Sequence, residues 1–176
     1  TVSLMAYVRF YIFIYLVLGF TAMPIFYASC SLAAGKGTGL PLPRFVSLRA
    51  DEVNLRTGPG VQYPVDWVYL RLNLPVQIIA EYDTWRKIRD WQGTQGWVHQ
   101  SMVSGTRTFI VTGKKRTIRS RNDSKSEPVA TIEPGAIGTL ISCSDISGWC
   151  RVGATDKKGW LRRVDFWGVL KNEVIE

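Results

Sequence analysis

Histidine is almost absent from this chain, with His99 the only one, and cysteine is limited to Cys30, Cys143 and Cys150. A four-ligand metal centre therefore lacks donors, and no cofactor is expected. A Cys-His hydrolase is equally poorly supplied, because His99 follows the Gly-Trp-Val strand of the other half and no third, orienting residue is recognisable. Paired carboxylates in a catalytic pattern are missing too. No window sustains a helical period for long, which excludes bundles and coiled coils. A complete phosphate-binding loop is also lacking. The lysine in GKGTG, residues 35–39, has Cys30 where the first glycine belongs and Gly37 where Ser or Thr belongs.

Charge is nearly absent from the N-terminal stretch. Between Met5, a candidate start residue, and Ala34 the only charged side chain is Arg9, and the apolar run Phe10–Phe20 follows it. A positive residue, an apolar run, Pro24 and then small residues make the layout of an export signal over residues 1–34. Ser31-Leu32-Ala33 fits cleavage after Ala33. Two alternatives stay open: a lipoprotein-type site at Ala28-Ser29-Cys30, which has Tyr27 in place of the usual leucine, and a retained anchor over Phe10–Ala34. Each puts the remainder outside the cytoplasm, in the periplasm, secreted or tethered. Nucleic acid is then not an expected partner. Residues 35–44, dense in Gly and Pro, read as a linker.

What the chain has in abundance is aromatic side chains, with seven Trp, seven Tyr and seven Phe. Beyond the linker these sit in short runs rich in β-branched and aromatic residues: FVSLRA, VNLR, VQIIAEY, WRKIRDW and GWVHQSMV. Such runs, separated by turn signals, predict an all-β barrel or sandwich. The second half repeats the first at an offset of 63 or 64. Leu55 falls on Ile118, Arg56 on Arg119, Pro64-Val65 on Pro128-Val129, Trp85 on Trp149, Gly96-Trp97 on Gly159-Trp160 and Phe45 on Phe109. Two copies at this spacing are tandem domains.

The phrase VNLRTGPG…PV, the aromatic-x-x-aliphatic strand at Trp85 and the Gly-Trp-aliphatic strand at Gly96 resemble a bacterial SH3 (SH3b) domain. The resemblance covers Phe45–Val103 and, with Arg121-Asn122-Asp123 replacing Gly58-Pro59-Gly60, Phe109–Val169. It implies two small SH3-like β-barrels, 45–105 and 106–170, with a tail at 171–176. It also implies a non-catalytic module directed to cell-wall peptide or glycan, or to an envelope protein. Oligomeric state is left open.

Within residues 53–60, Val53 and Leu55 should face a core, Arg56 and Thr57 should leave it, and Pro59 with the flanking Gly58 and Gly60 should shape a tight loop. That loop borders the groove such domains use. The paired tryptophans, Trp85, Trp97, Trp149 and Trp160, read as core or packed edge, because both halves have them. Tyr63, Trp67, Tyr69 and Trp91 have no counterpart, so they are the ligand-stacking candidates. Tyr63, Trp67 and Trp91, with the loop Arg56–Gly60, make the expected binding groove.

Charge divides the halves. Residues 46–105 hold six basic and six acidic side chains, whereas residues 106–176 hold thirteen basic and eight acidic. Lys114, Lys115, Arg116, Arg119 and Arg121 would form a positive stripe able to meet an anionic surface, or a solvated edge guarded by charge. Cys143 and Cys150 flank a hairpin-length stretch. With a turn at Ile146-Ser147 they would face each other across two strands, and in an oxidising compartment they should form a disulfide.

Overall fold

The computed structural model describes residues 37–144 and 147–176. The export segment and the start of the linker lie outside the described residues, as do Asp145 and Ile146 of the expected turn. The chain is all-β. Apart from two single turns of 3-10 helix, Gln100–Met102 and Arg163–Asp165, the described residues contain no helix.

Among the described residues, fourteen strands form two antiparallel sheets. The first contains β1 (Arg44–Leu48), β2 (Val53–Arg56), β3 (Val65–Tyr69), β4 (Pro75–Tyr82), β5 (Trp85–Arg89), β6 (Gln95–His99) and β7 (Val103–Ser104). The second contains β8 (Thr108–Val111), β9 (Arg116–Arg119), β10 (Pro128–Ile132), β11 (Ile137–Cys143), β12 (Trp149–Ala154), β13 (Lys157–Arg162) and β14 (Phe166–Trp167). The first has the order β3-β2-β6-β5-β4-β1-β7, and the second repeats it as β10-β9-β13-β12-β11-β8-β14. The expected internal duplication is thus a duplication of topology. Strand β1 begins at Arg44, inside the expected linker, and β3 is absent from the runs that alternation singled out. VDWVY carries apolar residues on both faces, so period-2 reading has nothing to detect.

Each sheet wraps a core of its own. In the first, Leu48, Val53, Leu55, Val76, Ile78, Ile88 and Val98 are all buried, and they come from five of the seven strands. The sheet also packs against Ile110, Ile137 and Trp167 of the second sheet. It does not close: β3 and β7 end the strand order and are not paired with each other. The expected barrels are therefore open sheets. Strand β7 spans only two residues after a 3-10 turn, too short to bridge back to β3.

The two sheets lie within one compact unit, Ala34–Glu176. Strand β14 sits between them. Phe166 meets Phe109 of the second core with ring centroids 5.1 Å apart, and Trp167 meets Phe45 edge-on at 4.6 Å. Ile110 belongs to the first core although β8 belongs to the second sheet. Arg71 donates to the Gly135 carbonyl and the Thr108 hydroxyl to the Asn73 carbonyl, each at 2.8 Å.

Cys143 pairs with Cys150 across β11 and β12 and bonds to it as a disulfide, with Cα atoms 4.2 Å apart. Both are buried in the second core. The tail is anchored beside them. Ile175 exchanges both backbone hydrogen bonds with Cys143, and Glu173 pairs with Arg107. Burial raises the Glu173 carboxyl, but hydrogen bonds from Arg107 and the Leu170 N–H, with the charges of Arg107 and Arg163, bring it below its ordinary value.

Candidate functional site

Strand β3 is the end strand of the first sheet. Leu55 and Trp67 are cross-strand partners, so the indole stands on the core side beside a fully buried leucine. Nothing closes over it, and Trp67 keeps 56% of its surface exposed. A bulge between Leu55 and Arg56 then turns Val65 to the outer face. Val68, opposite Asn54, faces outward as well. With Val61 and Tyr63 before the strand and Leu70 and Leu72 after it, residues 61–72 expose seven large apolar side chains. Ile132 is buried and Val129 half-buried in the matching stretch of the second sheet, so the strip occurs in the first sheet only.

The loop before β3 is held by packing and by one arginine. Gly58 and Gly60 are buried, and neither has a positive φ. At Gly58 the loop needs glycine for space. A Cβ on Gly58 would lie 2.4 Å from the Tyr63 ring, and one on Gly60 would meet the Gln62 amide at 2.2 Å. Arg56, expected to leave the fold, is half-buried. It donates to the carbonyls of Tyr63 at 2.7 Å and Val61 at 3.2 Å, bracing the loop from within. Thr57 is exposed and Pro59 half-buried.

Two of the unduplicated aromatics are more covered than Tyr63 and Trp67. Trp91, in the β5–β6 turn, is half-buried against the first core, whereas Tyr63 and Trp67 are exposed. Tyr69 is buried, and its hydroxyl donates to Asp90 at 3.0 Å. Burial, together with the charge and hydrogen bond of Asp90, pushes the phenol well above its ordinary value. The other Asp90 oxygen accepts from the N–H groups of Gln92 and Thr94, both at 2.9 Å, which fixes the turn carrying Trp91.

The basic stretch is less uniform than its sequence. Arg116 pairs with Asp165 at 2.8 Å and is half-buried. Arg119 donates to the Ser126 carbonyl at 2.6 Å, bracing the second loop as Arg56 braces the first. Lys115 pairs with Glu133 at 3.3 Å in the open. Lys114 and Arg121 are exposed, so a smaller free positive surface remains.

The paired tryptophans are not core. Gly96 and Val98 face inward on β6, which turns Trp97 out, and Gly159 and Leu161 do the same to Trp160. A Cβ on Gly96 would strike Leu55 and one on Gly159 would strike Ile118, so these glycines let the Gly-Trp strand press against its neighbour. Trp85 and Trp149 also lie on the outer faces, half-buried. Trp85 meets the His99 ring edge-on at 5.6 Å. The sequence signal was present in the inward Gly-x-aliphatic alternation, but an apolar residue on each face hides it.

Among the described residues no three His, Cys, Asp or Glu side chains gather as metal ligands. A cleft of about 280 Å³ lies between Asn73 and Thr108 on one side and Thr139, Gly153 and Lys158 on the other. None of the expected groove residues lines it.

No curated protein matches the chain. Among solved structures, NlpC1 from Trichomonas vaginalis aligns at 12% identity and a TM-score of 0.33, covering 77% of this chain and 49% of that one. NlpC2 from the same organism aligns at 11% identity and a TM-score of 0.33, covering 71% and 48%. The chain spans about half the length of either. Residues 49–105, the stretch that carries the edge strand and its exposed apolar strip, match the bacterial SH3 domain.

Proposed function

We propose that this protein is an exported, non-catalytic binding module whose first sheet holds cell-wall material, the peptide or glycan of peptidoglycan, or another envelope component. The carrying observation is the apolar strip around β3, centred on Tyr63 and Trp67 and lying inside the matched SH3 span. Seven exposed large apolar side chains within twelve residues mark a place where something binds. Trp67 offers a flat ring for stacking, and the loop braced by Arg56 holds Tyr63 beside it along the chain. The second sheet is a divergent copy of the same SH3 design. Lys114, Lys115 and Arg121 add a salt-sensitive attraction to anionic surfaces.

A second reading is favoured by the unpaired outer edge of β3. A partner protein could add an extended strand there, with Val65, Trp67 and Val68 gripping its side chains. Parallel pull-downs on purified peptidoglycan and on solubilised envelope proteins separate the two. Retention on peptidoglycan that Trp67→Ala weakens, at unchanged melting temperature, supports wall binding. Retention only of an envelope protein supports strand addition. No retention on either, or retention indifferent to Trp67→Ala, overturns the site. A reporter fused after Glu176 that is active only in the cytoplasm would overturn the exported reading.

A further inference from the structure

The outer face of the second sheet carries a pattern that β3 does not. Across β12 and β13, Trp149 stands opposite Arg162 and Arg151 opposite Trp160, and Trp160 also stands opposite Arg119 on β9. Directly opposed residues share a face, and residues two apart on a strand share it too. Cys150, Val152, Gly159 and Leu161 point inward, so these two tryptophans and three arginines form one outward checkerboard.

The first sheet has the same frame, with Trp85 opposite His99, and Lys87 opposite Trp97, which stands opposite Arg56. Its cations are fewer and more covered. Lys87 is half-buried where Arg151 is exposed, and His99 stands where the second sheet has Arg162. Arg151 has no ion-pair or hydrogen-bond partner among the described residues. Arg162 shares Asp165 with Arg116 and still has half of its side chain in solvent. Residues 106–176 as a whole carry thirteen basic against eight acidic side chains.

We infer that this face binds an acidic polysaccharide strand, one whose sugar rings carry carboxylates. Half-buried indoles held rigid by the sheet present apolar surface to a sugar ring, and a guanidinium meets a carboxylate with two parallel hydrogen bonds. Trp and Arg alternate in both directions of the sheet, so a chain alternating ring and acid group finds both contacts repeatedly. The inference rests on the exported reading only in preferring a glycan to a single-stranded nucleic acid, which aromatic and basic side chains also suit.

The test is calorimetric titration of the purified protein with a galacturonic-acid oligomer at low and moderate salt. Binding should weaken as salt rises. Arg151→Gln should weaken it about tenfold, the loss expected for a charged hydrogen-bonding group. Trp160→Leu should weaken it too, provided its melting transition is retained, and Arg151→Gln decides the matter if that variant does not fold. Trp67→Ala on the first sheet should leave this binding unchanged, so failure here and failure of the wall-binding site are distinguishable. No binding, or indifference to Arg151→Gln, overturns the inference. Equal affinity for a ring-free polyphosphate overturns the role of the tryptophans, and equal affinity for oligothymidylate overturns the choice of glycan.

Discussion

Gly58 and Arg121 stand at matching places in the two halves, and the difference between them follows from one neighbour. In the first loop the Tyr63 ring lies where a Cβ on residue 58 would be. In the second loop Ser126 replaces the ring, and its small hydroxyl donates to the carbonyls of Arg121 and Asp123 instead. A side chain at residue 58 thus depends on what sits at residue 63. Gly58→Ala should destabilise the protein by about 1–3 kcal/mol through overpacking. The double variant with Tyr63→Ser should lose much less than the sum of the two singles, as contacting residues do. Urea melts of the four proteins give the coupling, and strict additivity would mean that ring and glycine do not touch. A second residue-scale expectation concerns Glu81, held by Arg44 and Arg86 with its side chain only 5% exposed. Burial raises its carboxyl, but hydrogen bonds from Arg44 and from the N–H and hydroxyl of Thr38 outweigh burial and lower it from 4.5 to about 2. A carboxylate lowered by folding contributes stability that is complete above its unfolded value and lost as pH falls. Stability should therefore decline from about pH 4.5 toward pH 2. Glu81→Gln should cost about 3 kcal/mol at neutral pH and flatten that decline. Stability curves of equal acid slope in both proteins would count against it.

At the scale of elements, the disulfide links three pieces of chain. It joins β11 to β12, and the Cys143 backbone carries the tail through Ile175. Replacing Cys143 and Cys150 by Ser should cost about 2–3 kcal/mol in the chain-entropy picture, and it also sets hydroxyls in a buried apolar core. Amide exchange should quicken at Ile175 as well as along β11, which identifies the tail as part of the second sheet. Unchanged protection at Ile175 would separate the two. This cross-strand pair was legible in the sequence because two cysteines flanking a hairpin admit few arrangements. The strands around Val53, Leu55, Ile88 and Val98 were legible for a similar reason, since each alternates cleanly. Strand β3 was not, because VDWVY is apolar on both faces, and that same property makes it the candidate site. Trp91 misled because a turn sequence suggests exposure, whereas Asp90 folds the turn back onto the core. The tryptophans of β6 and β13, read as core or packed edge, lie outward and half-buried, because an outward position can be repeated as faithfully as a core one.

For the molecule as a whole, tandem copies read from sequence suggest two independent beads, and the packing at Phe45, Ile110 and Trp167 is what that picture omits. Contacts between distant segments leave no periodic trace in either. Trp167→Ala should destabilise the first sheet although it lies in the second, by about 2–4 kcal/mol for a large ring that is only half-buried. Amide exchange along β1 and β4 would register the loss, and a change confined to β8 and β14 would mean that the sheets are energetically separate.

Synthesis runs from the N-terminus, so Trp167 on β14 is made after every strand of the first sheet. Every strand of the first sheet has emerged once Ser104 is free, yet the indole that covers Phe45 is still some sixty residues from being translated. For that interval the nascent chain presents an incomplete first half with an uncovered aromatic face. The first half reaches its final packing only when the second is nearly finished, so the order in which the gene is read is not the order in which the molecule becomes stable.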